Sequence, residues 1–186
     1  AGKSTLLNQM LGEHLSIVTP KAQTTWQRVT GVLTEGSDQI VFLDTPGLLE
    51  AKDLLQRSML GAALEALAEA DLVLLVVDTT AAPTKRDERR ILTALEEARA
   101  PRIVALNKVD VAPEAAIGEW EAWITQHVNA PAFRISAETG EGTGELLHEL
   151  RAGLPEHPFL YPEDEIASDP VRFFVAELVR ETIFEQ

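Results

Sequence analysis

Arg102-Ile103-Val104-Ala105-Leu106-Asn107-Lys108-Val109-Asp110 is the stretch that decides the fold. The apolar run from Arg102 to Leu106 reads as a buried strand, and it ends on Asn107 and, after Lys108 and Val109, the carboxylate of Asp110. A strand buried on both faces belongs to a parallel sheet, and such sheets bind ligands at the carboxyl ends of their strands. The Asp110 carboxylate can accept two N–H groups from the Watson–Crick edge of guanine, where adenine offers one donor and a mismatched acceptor. Asn107 can reach base and neighbouring loop, and the Lys108 stem can cover one ring face. Four such residues recur by chance, so their weight comes from what surrounds them.

Upstream, Leu72-Val73-Leu74-Leu75-Val76-Val77 is too continuous for a half-exposed strand and predicts a second parallel one ending at Asp78. Thr84 and Asp87 form a capping box for a helix to about Arg99. Downstream, Pro113 suits the first position of a helix to about Val128. Ala132 to Ile135 is a further short strand that delivers Ser136-Ala137-Glu138-Thr139-Gly140, and a helix from about Thr143 to Leu154 follows. This alternation predicts an α/β fold: a doubly wound, mostly parallel sheet with helices on both faces and right-handed crossovers.

The N-terminal part completes the pattern. Ala1-Gly2-Lys3-Ser4-Thr5 runs into Leu6, Leu7, Met10 and Leu11 at helical spacing, as the second half of a phosphate-binding loop does. Backbone N–H groups at the helix start would face the anion, Lys3 would reach the β- and γ-phosphates, and the Ser4 hydroxyl would bind Mg²⁺. Gly12 to Gln27, with Thr19, Pro20, Thr24 and Thr25, reads as a polar loop. Val29 to Thr34 and Gln39 to Leu43 are β-rich runs joined by Glu35-Gly36-Ser37-Asp38, a hairpin signal. The second run ends in Asp44-Thr45-Pro46-Gly47, a carboxylate placed to hold Mg²⁺ through water and a glycine N–H placed for a γ-phosphate. Asp53 to Glu69 repeats Leu, Met and Ala at three and four, an amphipathic helix. Each motif alone reads as an ordinary turn or cap. In this order, all at one edge of one sheet, they specify a guanine-nucleotide site.

Composition bounds the reading. The chain has 186 residues, no cysteine and a formal charge of −14. Absence of cysteine excludes disulfides and thiolate metal sites and suits a reducing compartment. No apolar run reaches the about 18 residues that a membrane span needs. Strong negative charge opposes binding to phosphate backbones, which argues against DNA as a partner of this stretch. His14, His127, His148 and His157 lack metal-ligand spacing, Trp120 and Trp123 read as packing residues, and Lys85 to Arg90 reads as a solvated helix face.

Taken together, these motifs make the chain resemble the Era family of bacterial GTPases. The resemblance is carried by Lys21-Ala22-Gln23-Thr24-Thr25, Thr34-Glu35-Gly36, Asp44-Thr45-Pro46-Gly47-Leu48, Ser136-Ala137-Glu138-Thr139-Gly140, and Tyr161-Pro162-Glu163-Asp164 followed by Arg172-Phe173. It implies a P-loop GTPase that binds GTP or GDP with Mg²⁺ and acts in small-subunit ribosome assembly. It further implies a C-terminal KH domain that binds small-subunit ribosomal RNA and the 30S particle, a monomer, and a cytoplasmic location with peripheral membrane contact left open. By motif, Ala1 to Thr5 cradle the phosphates, Ser4, Thr25 and Asp44 serve the metal, and Gly47 in the Asp44 to Leu48 segment senses the γ-phosphate. Asn107 to Asp110 hold the base, with Ser136 and Ala137 bracing its edge; Lys3, Thr25 and Gly47 are the expected catalytic groups.

Two departures stand out. Trp26 and Gln27 replace the Arg and the His or Asn usual in the family after the two threonines. Leu48 occupies the place where Ras-like enzymes carry the glutamine that orients the attacking water, and leucine has no group to do so. Unaided hydrolysis is therefore expected to be slow, with K⁺ held by a phosphate-loop Asn before Ala1 as one candidate aid. The resemblance implies a GTPase domain over 1–154, a linker over 155–168 marked by Pro155, Pro158 and Pro162, and the first helix of the KH domain over 169–186. Both ends read as cut. Loss of a first strand with about five buried side chains would cost roughly 10 kcal/mol, comparable to the about 5–15 kcal/mol of a whole domain. These residues alone are thus expected to fold poorly and bind GTP weakly. Other readings are a related hydrophobic-substituted GTPase of tRNA modification or tandem-domain type, and a nucleotide-dependent binding scaffold.

Overall fold

At the centre of the parallel sheet, Val104, Ala105 and Leu106 are wholly buried, as a strand covered on both faces must be. The structure, a computed structural model, describes residues 1–16, 29–45, 61 and 66–167. It divides into two compact units. One comprises Ala1–Gly2 with Leu64–Pro155, the other Lys3–Ala63 with Glu156–Gln186.

In the first unit, β3 (Val73–Asp78), β4 (Arg102–Asn107) and β5 (Ala132–Ile135) form a three-stranded parallel sheet in the order β3-β4-β5. The register pairs Asp78 with Asn107 and Asn107 with Ile135, so the strands end level. Helices α2 (Lys85–Glu97), α3 (Glu114–His127) and α4 (Thr143–Gly153) alternate with them. Thr84 and Asp87 close the expected capping box on α2. Pro113 is the cap of α3, one residue earlier than its predicted place inside the first turn. Either position spares a missing N–H, because the first helical donors have no partner in the helix. Asn129, at φ +50°, stops α3 and returns its N–H to the Ile124 carbonyl.

The core of this unit joins Val77, Leu106, Ile91, Leu95, Ile117 and Ile124 with Trp120 and Trp123. Trp120 and Trp123 meet edge to face at 5.8 Å, and the Trp120 indole donates to the Ala81 carbonyl at 2.9 Å. They are packing residues, as their spacing suggested.

In the second unit, α1 (Lys3–Leu11) lies against the antiparallel hairpin β1 (Val29–Glu35) and β2 (Asp38–Asp44). Glu35 pairs with Asp38, leaving Gly36 and Ser37 as a two-residue turn. Gly36 has φ +61°, at the position where such turns favour glycine. Gly31 lets the helix approach, since a Cβ there would lie 2.6 Å from the Leu11 side chain. The stretch 159–167 runs along the hairpin: Val32 N–H donates to the Ile166 carbonyl at 2.9 Å, and Gly31 bridges Ala167 in antiparallel sense.

The polar loop through Trp26 and Gln27, most of the helix starting at Asp53, and the helix starting at Asp169 lie outside the described residues.

Candidate functional site

The residues expected to read the base lie in the first unit, around Asn107. The residue is 2% exposed, and both polar atoms of its side chain are bonded. Oδ1 accepts from the N–H groups of Lys108 at 2.8 Å and Ala137 at 2.9 Å, while Nδ2 donates to the Ala1 carbonyl at 2.9 Å. Two donors on one atom and an acceptor at the other fix the amide orientation. Asn107 thus ties together the start of the phosphate loop, the Asn107–Asp110 turn and the Ser136–Gly140 loop. Its backbone carbonyl in turn accepts the Thr79 N–H at 3.1 Å and the Thr79 hydroxyl at 2.8 Å.

Lys108 takes a left-handed backbone, φ +74°, a conformation that costs a non-glycine residue roughly 1–2 kcal/mol. Its carbonyl accepts from Val111 and Ala112, its Nζ lies 2.6 Å from Asp78 Oδ2, and the Val109 N–H reaches the Ile135 carbonyl. Burial alone would raise the Asp78 carboxyl. The Lys108 ammonium and the hydroxyl and N–H of Thr80 outweigh it and hold the group below its ordinary value.

Asp110, by contrast, is exposed and has no hydrogen-bond partner among the described residues. A rigid turn therefore presents one open carboxylate, as the reading of guanine's paired donors requires. Ser136 is buried, and its Oγ accepts the Thr139 N–H at 3.1 Å. The Ala137 N–H is spent on Asn107, so both residues shape the loop around the Asn107 network.

Gly2 explains why the phosphate loop needs glycine. It sits at φ +83°, and a Cβ there would come 2.5 Å from Asn107 Nδ2.

The second unit carries Lys3, Ser4 and Asp44, three of the expected phosphate and metal residues. Lys3 opens α1, whose first turn holds no acidic side chain to compete for an anion at the helix start. Ser4 Oγ donates to Asp44 Oδ2 at 2.8 Å across 40 residues of chain. Both are buried, and the serine hydroxyl with a carboxylate is the hard-oxygen pair that suits Mg²⁺. Ser16, 2% exposed, donates to the same Asp44 oxygen at 3.1 Å. Asn8 holds Ser16 there, its Oδ1 accepting the N–H groups of Leu15 and Ser16 and its Nδ2 donating to the Ser16 carbonyl. Thr25, Pro46, Gly47 and Leu48 lie outside the described residues, while Thr5 and Thr45 are half-buried.

Sequence reading missed Asp78, Thr79, Ser16 and Asn8. Asp78 carried a usable signal, a carboxylate at the end of an apolar strand like Asp44. Ser16 and Asn8 carried none, because their roles depend on a loop closing over a helix.

The family model for the 50S ribosome-binding GTPase matches residues 1–108. The chain belongs to this family. Among curated relatives, the GTPase Era of Dinoroseobacter shibae is 44% identical over 98% of this chain and 60% of its own length. Among solved structures, Era in complex with MgGDPNP and nucleotides of 16S ribosomal RNA superposes with a TM-score of 0.90 at 40% identity, covering 97% of this chain and 62% of that one. A variant of Aquifex aeolicus Era bound to GDP and AlF4⁻ superposes equally well, TM-score 0.90 at 40% identity over the same shares. The chain thus has a P-loop GTPase fold and spans about 60% of the length of the curated relatives it matches.

Proposed function

We propose that the protein binds guanine nucleotide with Mg²⁺ and hydrolyses GTP as a switch in assembly of the small ribosomal subunit. The observation that carries this is the sorting of side chains: both polar atoms of the buried Asn107 amide are bonded within the protein, Asp110 is left open, and Ser4 meets Asp44. Kinship with Era proteins, one of them solved with MgGDPNP and 16S ribosomal RNA, supports the ribosomal role.

In this reading Asp110 accepts two guanine N–H groups and the Lys108 stem covers the ring. Lys3 and the N–H groups of Ala1 to Thr5 neutralise the β- and γ-phosphates, which Gly47 also contacts. Ser4 and Thr25 would hold Mg²⁺ directly and Asp44 through water; the ion would offset charge on the transferring phosphoryl group. Leu48 supplies no water-orienting group, so turnover by the protein alone is slow. We assign the missing assistance to K⁺ or to the ribosomal partner.

RNA contact belongs to a KH domain that begins near Asp169, after a GTPase domain over 1–154 and a linker over 155–168. The proposed protein is monomeric and cytoplasmic, which its lack of cysteine suits, with membrane contact at most peripheral.

The test is nucleotide binding by the full-length protein, followed by hydrolysis in KCl and in NaCl. Retention of GDP over ADP by at least about a hundredfold is expected from a site built to pair with the base. Equal affinity for both would overturn the reading. Equal hydrolysis rates in the two salts would remove K⁺ alone.

A further inference from the structure

The polar triplet Asp78-Thr79-Thr80 at the end of β3 belongs to none of the sequence motifs of the nucleotide site. Yet all its side chains are engaged in one direction of support. Thr79, wholly buried, gives both its N–H and its hydroxyl to the Asn107 carbonyl. Asp78 divides its oxygens. Oδ2 meets Lys108 Nζ at 2.6 Å, while Oδ1 accepts the Thr80 hydroxyl at 2.6 Å and the Thr80 N–H at 3.1 Å. Thr80 thereby fixes the carboxylate that fixes the lysine.

The lysine needs fixing. Its left-handed backbone directs the turn that ends in Asp110, and nothing about a lysine side chain favours that conformation. The parallel register places Asp78 beside Asn107, within reach of the residue that turns the corner. An ordinary surface ion pair between flexible side chains contributes little. This one differs because one partner is held by two further hydrogen bonds and the other sits on a constrained backbone.

We propose that Asp78, braced by Thr80, is a positioning residue for guanine recognition, acting through Lys108 to hold the alkyl stem and the Asp110 turn in the base-reading geometry. The inference rests on the nucleotide reading given above. Asp78 does not touch the base. Its removal leaves Asp110 in place chemically but lets the turn relax, so selection among purines suffers more than binding of the phosphates. GDP and IDP measure this directly, since hypoxanthine lacks the 2-amino group that Asp110 would read.

The experiment compares the full-length protein with Asp78→Ala, Asp78→Asn, Lys108→Met and the Asp78→Ala/Lys108→Met double variant. GDP and IDP dissociation constants and thermal midpoints are measured for each. Asp78→Ala is expected to weaken GDP by about tenfold, the scale of a lost charge-assisted hydrogen bond, and to narrow the GDP-to-IDP ratio. Asp78→Asn keeps one acceptor oxygen, enough for Thr80, but turns an NH₂ donor toward the Lys108 ammonium, so it should weaken GDP and narrow the ratio nearly as much as Asp78→Ala. The double variant should be no worse than the poorer single variant, because both act through one contact. An unchanged GDP-to-IDP ratio in Asp78→Ala, or additive losses in the double variant, overturns the inference while leaving the nucleotide reading intact. Failure of the unsubstituted protein to prefer GDP over ADP overturns the nucleotide reading itself, and this inference with it.

Discussion

At the residue scale, Asn107 and Asp110 divide one task between a satisfied and an unsatisfied group. Asn107 has its Oδ1 filled by two internal donors and its Nδ2 anchored on Ala1, so its substitution would loosen three segments at once. Asp110 makes no such bonds and can be changed without disturbing the frame. Asp110→Asn therefore separates recognition from folding. An amide offers one acceptor and one donor where guanine needs two acceptors, so GDP should weaken by about 100- to 1,000-fold, as expected for two charge-assisted bonds. Xanthine carries a carbonyl in place of the 2-amino group and should become the better base. Competition with XDP and GDP checks this, and a variant that still prefers GDP would exclude Asp110 from the base edge. Gly2→Ala probes the opposite case. Its Cβ would press on an Asn107 amide that cannot yield without losing a bond, and φ +83° is strained for alanine. A loss of about 2–3 kcal/mol is expected in denaturant unfolding, with weaker GDP binding alongside.

At the element scale, legibility in the sequence followed from burial. The strand β4 was readable because a strand covered on both faces must be apolar throughout; β3, only partly buried at Leu74 to Val76, shares the continuous apolar run, and the polar ends Asp78 and Asn107 then stand out. The hairpin was readable from Gly36, which the turn requires at positive φ. The capping box on α2 was readable because its two members sit at a fixed spacing. Not readable were contacts made by backbone carbonyls, such as Thr79 on Asn107, since every residue has a carbonyl and none marks its partner. Gly142 shows the same limit. It caps α4 at φ +69°, and a Cβ would lie 2.2 Å from the Arg134 carbonyl, so the loop after β5 closes only without a side chain. The obstacle is backbone and cannot swing aside. Gly142→Ala should cost about 2–4 kcal/mol, readable as a shift of the urea midpoint at unchanged slope. A shift below about 1 kcal/mol would show that the loop can open without loss.

At the scale of the whole molecule, the acidic, proline-marked stretch 155–168 reads from composition as a plain connector. Its ties to the hairpin explain why composition could not say more. Gln39 on β2 uses all four of its hydrogen-bonding positions: Oε1 accepts from Leu160 and Tyr161, and Nε2 donates to the Tyr161 carbonyl and to Thr34 Oγ1. Three of the four partners belong to a segment more than 120 residues away or to its backbone, where no side-chain pattern announces them. Val32 and Gly31 on β1 extend the attachment to Ile166 and Ala167, covering part of an edge that would otherwise present unpaired backbone groups. The hairpin so engaged ends at Asp44, the carboxylate that meets Ser4. A change that frees Gln39 should therefore release the segment locally while leaving the parallel sheet untouched. In Gln39→Ala, the amides of Leu160 and Tyr161 should exchange with solvent at least about tenfold faster, while those of Val104 to Leu106 keep their protection. Amide hydrogen exchange resolves the two groups in one measurement. Equal exchange at Leu160 and Tyr161 in both proteins would mean that the Ile166 and Ala167 contacts alone hold the stretch, and acceleration at Val104 to Leu106 as well would mean that the substitution acts by unfolding the whole chain.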